Sequence, residues 1–370
     1  SMHLFTQQQL TGAVAFLVDG KEFLRALGAQ FFPAPAGNGF VSIVTQGTDP
    51  AKRVKFLVIG TQKVPGSDCP WAGGSISSVV WSADGKHWAA KCQNTQNSFW
   101  VMADGKKGLE YQNISEIDFT ADGKPVYMAT NNLKNYMVVG EDESNGYARI
   151  LTVPKDGNPN YPAFIAGNTV AYSASPTGNG DELTMVVGAN KPIARRRAAQ
   201  LVLSPDGARY AFTWMDGVNV DGTDAPGAAV SFLRPSKDTG QGNPPGYMVF
   251  SPDGKHLAFF SQNPQMPEFG IVVDGKFFGT GGRGLPSNLQ FTPDSKHLVW
   301  IDRLEGNGLA IYIDGKVATQ YDPGAASPWG QSGNFEIGAD GVINAITQDG
   351  DTMKRLRITP PADSSVDTLA

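Results

Sequence analysis

Apolar and polar residues follow one another along this chain in short runs, cut at regular intervals by turn residues. Short stretches rich in Val, Ile, Phe, Tyr and Trp are flanked by Gly, Pro, Asp and Asn. That is the pattern of β-strands joined by tight turns. No long segment carries the apolar period and caps of a helix.

One phrase recurs. It reads Val-Val-Trp-Ser-Ala-Asp-Gly-Lys-His-Trp from Val79 and Phe-Thr-Ala-Asp-Gly-Lys-Pro-Val-Tyr from Phe119. It returns as Leu-Ser-Pro-Asp-Gly from Leu203, Phe-Ser-Pro-Asp-Gly-Lys-His-Leu from Phe250 and Phe-Thr-Pro-Asp-Ser-Lys-His-Leu from Phe291, with a worn copy from Gly338. The turn aspartates are Asp84, Asp122, Asp206, Asp253, Asp294 and Asp340. A degenerate copy at Phe164 to Tyr172 fills the double gap after Asp122, and the spacing is then about 40 residues, the period of propeller blades. A second phrase, an apolar pair followed by Asp-Gly-Lys, ends at Lys106, Lys276 and Lys316. Asp-Gly between two β-rich runs predicts a type I′ hairpin.

Each repeat therefore reads as strand a, Asp-Gly turn, strand b, loop, strand c, Asp-Gly turn, strand d. In the copy from Phe291, strand b covers His297 to Ile301, c Leu309 to Ile313 and d Val317 to Tyr321. The runs Ala13 to Val18, Glu22 to Leu27, Phe40 to Thr45 and Val54 to Ile59 read as a first blade. The last repeat shows three strands, and His3 to Thr6 is expected to supply its fourth and close the ring. The expectation is an all-β fold, a β-propeller of four-stranded antiparallel blades, eight in number with seven as the alternative. It is a single domain over residues 1–358, with blade one at about 13–60 and blades two to eight at about 78–358. The Pro/Ser/Asp-rich residues 359–370 read as a flexible tail.

The Ser/Thr-Pro-Asp-Gly-Lys phrases resemble the WD40-like Pro-Asp repeats of TolB-type periplasmic propellers, and those of the propeller domains of prolyl oligopeptidases. The resemblance covers roughly residues 78–348. It implies that the repeated Asp and Gly are turn residues and that no catalytic residue carries over, because many activities share this scaffold. By analogy with TolB-type propellers it also implies a place in an envelope complex.

Composition agrees with a packed, turn-rich fold: 41% hydrophobic, 18% charged, 44 glycines and 25 prolines in 370 residues. A net charge of −5 offers nothing to nucleic acid or an anionic membrane. No apolar run is long enough to span a bilayer. Ser1-Met2 reads as a cloning remnant, so an export signal is expected to have been removed and a periplasmic or secreted location is expected, with a cytoplasmic one not excluded.

The chemistry that does not repeat is where function is sought. His87, His256 and His297 hold equivalent positions and read as scaffold at the start of strand b. No metal site and no cofactor are expected, because neither zinc nor calcium spacing occurs. Gly73-Gly74-Ser75-Ile76-Ser77 lacks the closing glycine of a nucleophile elbow. Cys69 and Cys92 are placed on the same face of the same blade, where a disulfide is plausible.

The b–c and d–a loops are expected to be long and varied, on the face opposite the Asp-Gly turns. Recognition residues there would be Trp71, Tyr111, Trp214 and Trp329 among the aromatics. The cations would be the triplet Arg195, Arg196 and Arg197, with Arg283 and Arg303. The leading expectation is a non-catalytic scaffold, monomeric, that binds a protein, peptide or glycan through this face and the channel mouth. The alternative is a propeller enzyme, of glycoside hydrolase or polysaccharide lyase type, with dispersed carboxylates at the channel mouth.

Overall fold

The computed structural model describes residues 4–6, 14–18, 21–36, 39–47, 49–70, 74–151, 153–155, 158–161, 163–178, 182–196, 198–214, 217–225, 248–262, 269–279, 287–304, 308–321, 335–349, 352–360 and 363–368. The chain divides into two compact units, residues 1–180 with 186–190, and residues 181–185 with 191–370. The strand pairings described in both are antiparallel, so the fold is all-β and of the propeller class, with successive four-stranded meanders.

The first unit opens with a three-stranded sheet, Leu4–Thr6, Val14–Val18 and Lys21–Ala26. Sheet A follows, with strands Gly28–Pro33, Phe40–Gln46, Val54–Ile59 and Gln62–Lys63. Sheet B is Ser75–Trp81, Trp88–Gln93, Phe99–Ala103 and Lys106–Lys107. Sheet C is Asn113–Phe119, Pro125–Asn131, Lys134–Val139 and Asp142–Glu143. Strands Arg149–Ile150, Phe164–Ala166 and Thr169–Ser175 come next.

In the second unit Ile193–Arg196 pairs with residues 182–185 of the strand Glu182–Val187. Sheet D is Ala199–Leu203, Tyr210–Trp214, Gly217–Val220 and Thr223–Asp224. Sheet E is Met248–Phe250, Leu257–Gln262, Phe269–Val273 and Lys276–Gly279. Sheet F is Ser287–Phe291, Leu298–Arg303, Leu309–Ile313 and Lys316–Tyr321. Sheet G is Phe335–Ile337, Ile343–Asp349, Thr352–Thr359 and Asp363–Thr368. The cores lie between neighbouring sheets. One cluster, for example, joins Phe260 and Ile271 of sheet E to Leu289, Trp300 and Tyr312 of sheet F.

The recurring phrase builds the first turn of sheets B to G by local hydrogen bonds. In sheet B the Ser82 hydroxyl donates to Asp84 Oδ1 at 2.7 Å and accepts from His87 N at 3.0 Å. Asp84 Oδ1 also accepts from Lys86 N at 3.1 Å, and Gly85 takes a φ of +70° that a side chain would resist. Thr120–Asp122, Ser204–Asp206, Ser251–Asp253 and Thr292–Asp294 repeat the hydroxyl–carboxylate bond at 2.5, 2.6, 2.6 and 2.7 Å. In sheet G, Asp340 keeps the backbone part and accepts from Val342 N at 3.1 Å.

The second Asp-Gly turn is then fastened to the first. Asp104 Oδ1 accepts from Trp88 N at 3.0 Å, and Oδ2 meets His87 Nδ1 at 2.7 Å. Asp274 does the same with Leu257 N and His256, and Asp314 with Leu298 N and His297. In sheet D, Asp221 takes Tyr210 N, and Arg209 stands where the histidine stands elsewhere. The three histidines are scaffold, as the repeat implied.

Three expectations need correction. The runs assigned to the first blade belong to two sheets. Val14–Val18 and Lys21–Ala26 pair with each other, and sheet A instead gains Gly28–Pro33, which pairs with Phe40–Gln46. The reason is aromatic packing: the Phe31 ring lies 5.7 Å from Phe16 and 5.6 Å from Phe40. Leu4–Thr6 pairs with Val14–Val18 and not with the last sheet. The fourth strand of sheet G comes from the supposed tail, with Ser364 to Asp367 in register against Arg355 to Ile358. An edge strand needs a partner on one side only, so a polar run with some β-branched residues suffices.

Candidate binding site

A further correction concerns the b–c loops. Only Asn132 and Leu133 separate strands b and c of sheet C, both with positive φ (+49° and +62°) as in a type I′ turn. Only residues 215–216 separate them in sheet D. The Asp-Gly turn of sheet B, by contrast, runs from Ser82 to His87. The b–c connections are therefore not uniformly long, and the stretch from Gly217 to Asp224 is strand, turn and strand.

Of the predicted recognition residues, the structure brings Arg195 and Trp214 together. The Arg195 guanidinium lies 5.4 Å from the centre of the Trp214 ring. Its Nη2 reaches both oxygens of Asp224 at 3.3 Å, and Asn219 Nδ2 donates to the same carboxylate at 2.7 Å. The Trp214 indole N–H is buried with no hydrogen-bond partner. Arg196 is exposed and, as the next residue in the strand, projects to the other face. The triplet is therefore not one basic patch. Strand alternation splits it, and Asp224 balances Arg195. Arg197 lies outside the described residues, as do Trp71, Arg283 and Trp329.

Tyr111 is not a surface residue. It is 4% exposed, packs against Tyr127 with ring centres 6.4 Å apart, and donates its hydroxyl to Glu143 Oε2 at 2.6 Å. Burial, then the bond to Glu143, hold the phenol well above its usual range. Arg303 is exposed at the end of strand b of sheet F, beside the buried Asp302, whose carboxylate accepts from Arg303 N at 2.8 Å.

Cys69 and Cys92 share one core cluster, but as free thiols. The expected disulfide is not made, because the Cys69 thiol turns to donate to the carbonyl of Gln93 at 2.7 Å. Burial raises the Cys69 thiol and pushes Cys92 up to about 12.

One role escaped the sequence reading. After the short outer strands of sheets A, B and C the chain pairs again with strand c: Cys69 with Lys55, Tyr111 with Phe99, Tyr147 with Asn135. In the first unit these residues dock one sheet on the next. Tyr111 meets Tyr127, Tyr147 meets Tyr172 at 6.3 Å, and Cys69 meets Gln93. The signal was a buried-type residue a few positions after the second turn.

Among the described residues no group of three or more His, Cys, Asp or Glu is placed to hold a metal ion. None of their helices is long and apolar enough to cross a membrane.

The successive antiparallel meanders, closed by Asp-Gly turns, define the chain as a member of the propeller class of folds. No family model matches it. No curated protein matches it either. Among solved structures it is similar to the dihydro-heme d1 dehydrogenase NirN in complex with DHE, with 13% identity, 91% of this chain and 74% of that chain covered, and a TM-score of 0.35. It is also similar to TolB from Acinetobacter baumannii, at 11% identity, 92% and 79% coverage and a TM-score of 0.27. A third is the β-propeller domain of the trilobed protease from Pyrococcus furiosus, at 12% identity, 92% and 95% coverage and a TM-score of 0.24. The class assignment rests on the sheets themselves.

Proposed function

We propose that this chain is a non-catalytic propeller scaffold, periplasmic or secreted, that binds a protein, peptide or glycan partner at the b–c ends of its sheets. The observation that carries this reading is how the repeated carboxylates are used. Asp84, Asp206, Asp253 and Asp294 hold first turns, and Asp104, Asp221, Asp274 and Asp314 fasten second turns to them. An acid already holding several donors has no free role as a general acid or base. Of the expected recognition residues, Arg195 and Trp214 meet near a b–c end, with Arg196 on the opposite face of the same strand, cations and an aromatic of the kind that anchor interfaces.

The test pairs binding with turnover. The purified chain is screened against immobilised peptides and oligosaccharides, and the best binder is remeasured with Arg196→Glu and Trp214→Leu. Loss of binding in either variant, with unchanged thermal unfolding, is expected. Steady hydrolysis or elimination of a polysaccharide by the parent chain refutes the scaffold reading, and unchanged binding in both variants refutes the location.

A further inference from the structure

Three departures from the repeat meet in the first unit, at the first strand of sheet C. One is Lys91, which stands opposite Ser77 beside the bulge of sheet B. The matching positions are Ala129 opposite Ile114, Thr213 opposite Ala199 and Ile301 opposite Ser287, each buried and uncharged. Another is Glu116. The first strands of sheets B, C, D and F all bulge at this level. The bulge carries Ser78–Val79 in B, Gln200 in D and Asn288–Leu289 in F, but Ser115–Glu116 in C. Of the four, only sheet C puts a charge there.

The last departure is an insertion. Arg149 and Ile150 stand opposite Ser175 and Ala174, and Leu151 N donates to Ser173 O at 2.9 Å. Phe164 then stands opposite Ala171. Residues 152–163 therefore lie opposite Tyr172 alone. A first strand that is one run in sheets A to G is here cut in two. The surplus chain forms a hairpin of its own, Val153–Lys155 with Asn158–Tyr161. Its second strand packs beside Asn113–Phe119 of sheet C, the strand that carries Glu116. Insertions in a repeat array gather on one face, often the binding face.

Lys91 and Glu116 feel one another's charge without bonding. The half-buried Lys91 ammonium donates to the Ile114 carbonyl at the bulge and lies 5.2 Å from the centre of the Phe99 ring. Burial lowers its pKa, and the Glu116 charge opposes that shift. The Glu116 carboxylate, also half-buried, has no hydrogen-bond donor or salt-bridge partner among the described residues. We propose that Lys91 and Glu116 form a binding site for neighbouring hydroxyls of a neutral sugar, beside the inserted hairpin. An anion at Lys91 would meet the charge of Glu116, and a cation at Glu116 that of Lys91, so a neutral ligand fits best. A hydroxyl can accept from the ammonium and donate to the carboxylate. Bonds of that kind, with one charged partner, are the strong ones. The N–H and C=O of a trans peptide point opposite ways, whereas neighbouring hydroxyls of a sugar ring lie side by side. The proposal rests on the scaffold reading and names the glycan as its partner, at a site built from first-unit residues alone.

Saturation-transfer NMR and calorimetry with maltose, cellobiose and chitobiose test the proposal, with digalacturonate and the peptide Gly-Ala-Gly for comparison. At least one neutral disaccharide is expected to bind saturably, and more tightly than digalacturonate or Gly-Ala-Gly. Lys91→Met keeps the stem and removes the ammonium, and Glu116→Gln keeps the shape and removes the charge. Each is expected to weaken that sugar at least about tenfold, the contribution of a hydrogen bond to a charged group. A chain in which one glycine replaces residues 152–163 is expected to fold, because Leu151 and Phe164 share a partner strand, and to bind more weakly than the parent. Thermal unfolding confirms that the variants are folded. No saturable binding of any of the three disaccharides, or parent-like affinity in either point variant, overturns the site. Tighter binding of digalacturonate or Gly-Ala-Gly overturns the neutral sugar. Parent-like affinity without the hairpin overturns its part in the site. Arg196→Glu is measured alongside: a loss there with none in Lys91→Met refutes this site and leaves the scaffold reading standing.

Discussion

Gly123→Ala tests the way one sheet rests on the next. Gly123 has a φ of +80°, and the added methyl carbon would lie 2.0 Å from His87 Cδ2. Left-handed backbone costs a residue with a side chain about 1–2 kcal/mol. The methyl also evicts the His87 ring, which breaks its 2.7 Å pairing with Asp104 between side chains 38% and 43% exposed. A pair so exposed contributes about 0.2–1 kcal/mol. The loss of stability is therefore about 1–3 kcal/mol, the sum of a backbone part and a contact part. Urea unfolding of the parent, Gly123→Ala, His87→Ala and the double variant separates the two. In the His87→Ala background the contact part is already gone, so Gly123→Ala should cost only its backbone part. A cost below about 0.5 kcal/mol would refute the left-handed turn. An equal cost in both backgrounds would refute the contact between His87 and the turn.

Acid should loosen the repeats through their turn aspartates. Donation from Ser82 and Ser251, then from backbone N–H groups, lowers Asp84 and Asp253 from 3.8 to about 2. A carboxylate lowered by folding stabilises above its unfolded value, so stability should fall as pH drops from about 4 towards 2. Asp84→Asn and Asp253→Asn should each show a shallower fall of unfolding temperature over that range, and slopes equal to the parent's would contradict the assignment. Both thiols should stay unreactive towards an aromatic disulfide reagent at neutral pH until denaturant is added, since burial raises Cys69 and Cys92; rapid native-state labelling of Cys92 would show that its pocket is open. Leu133, 91% exposed at a φ of +62°, packs against little, so Leu133→Gly should stabilise the chain by about 0.5–1 kcal/mol, the left-handed relief less the entropy of glycine; a lower urea midpoint would argue against the type I′ turn.

What the chain order alone determined is the part of the fold that is local. Ser82, Asp84 and His87 lie within one turn of chain, so their hydrogen bonds could be read as a phrase, and with them the strands on either side. The spacing of the copies carried the propeller class for the same reason. Tertiary structure decided whatever depends on which surface meets which. Phe31 chose the partner of Phe40 by packing, and no periodicity marks that choice. Arg195 and Arg196, neighbours in sequence, part because a strand sends successive side chains to opposite faces. Asp104 finds His87 across a whole hairpin, and Tyr111 finds Glu143 on the next sheet. Ser295 reads in the sequence as a worn glycine. Only the neighbouring sheet, whose Asp253 N donates to the Ser295 hydroxyl at 2.9 Å, makes it a link between two turns.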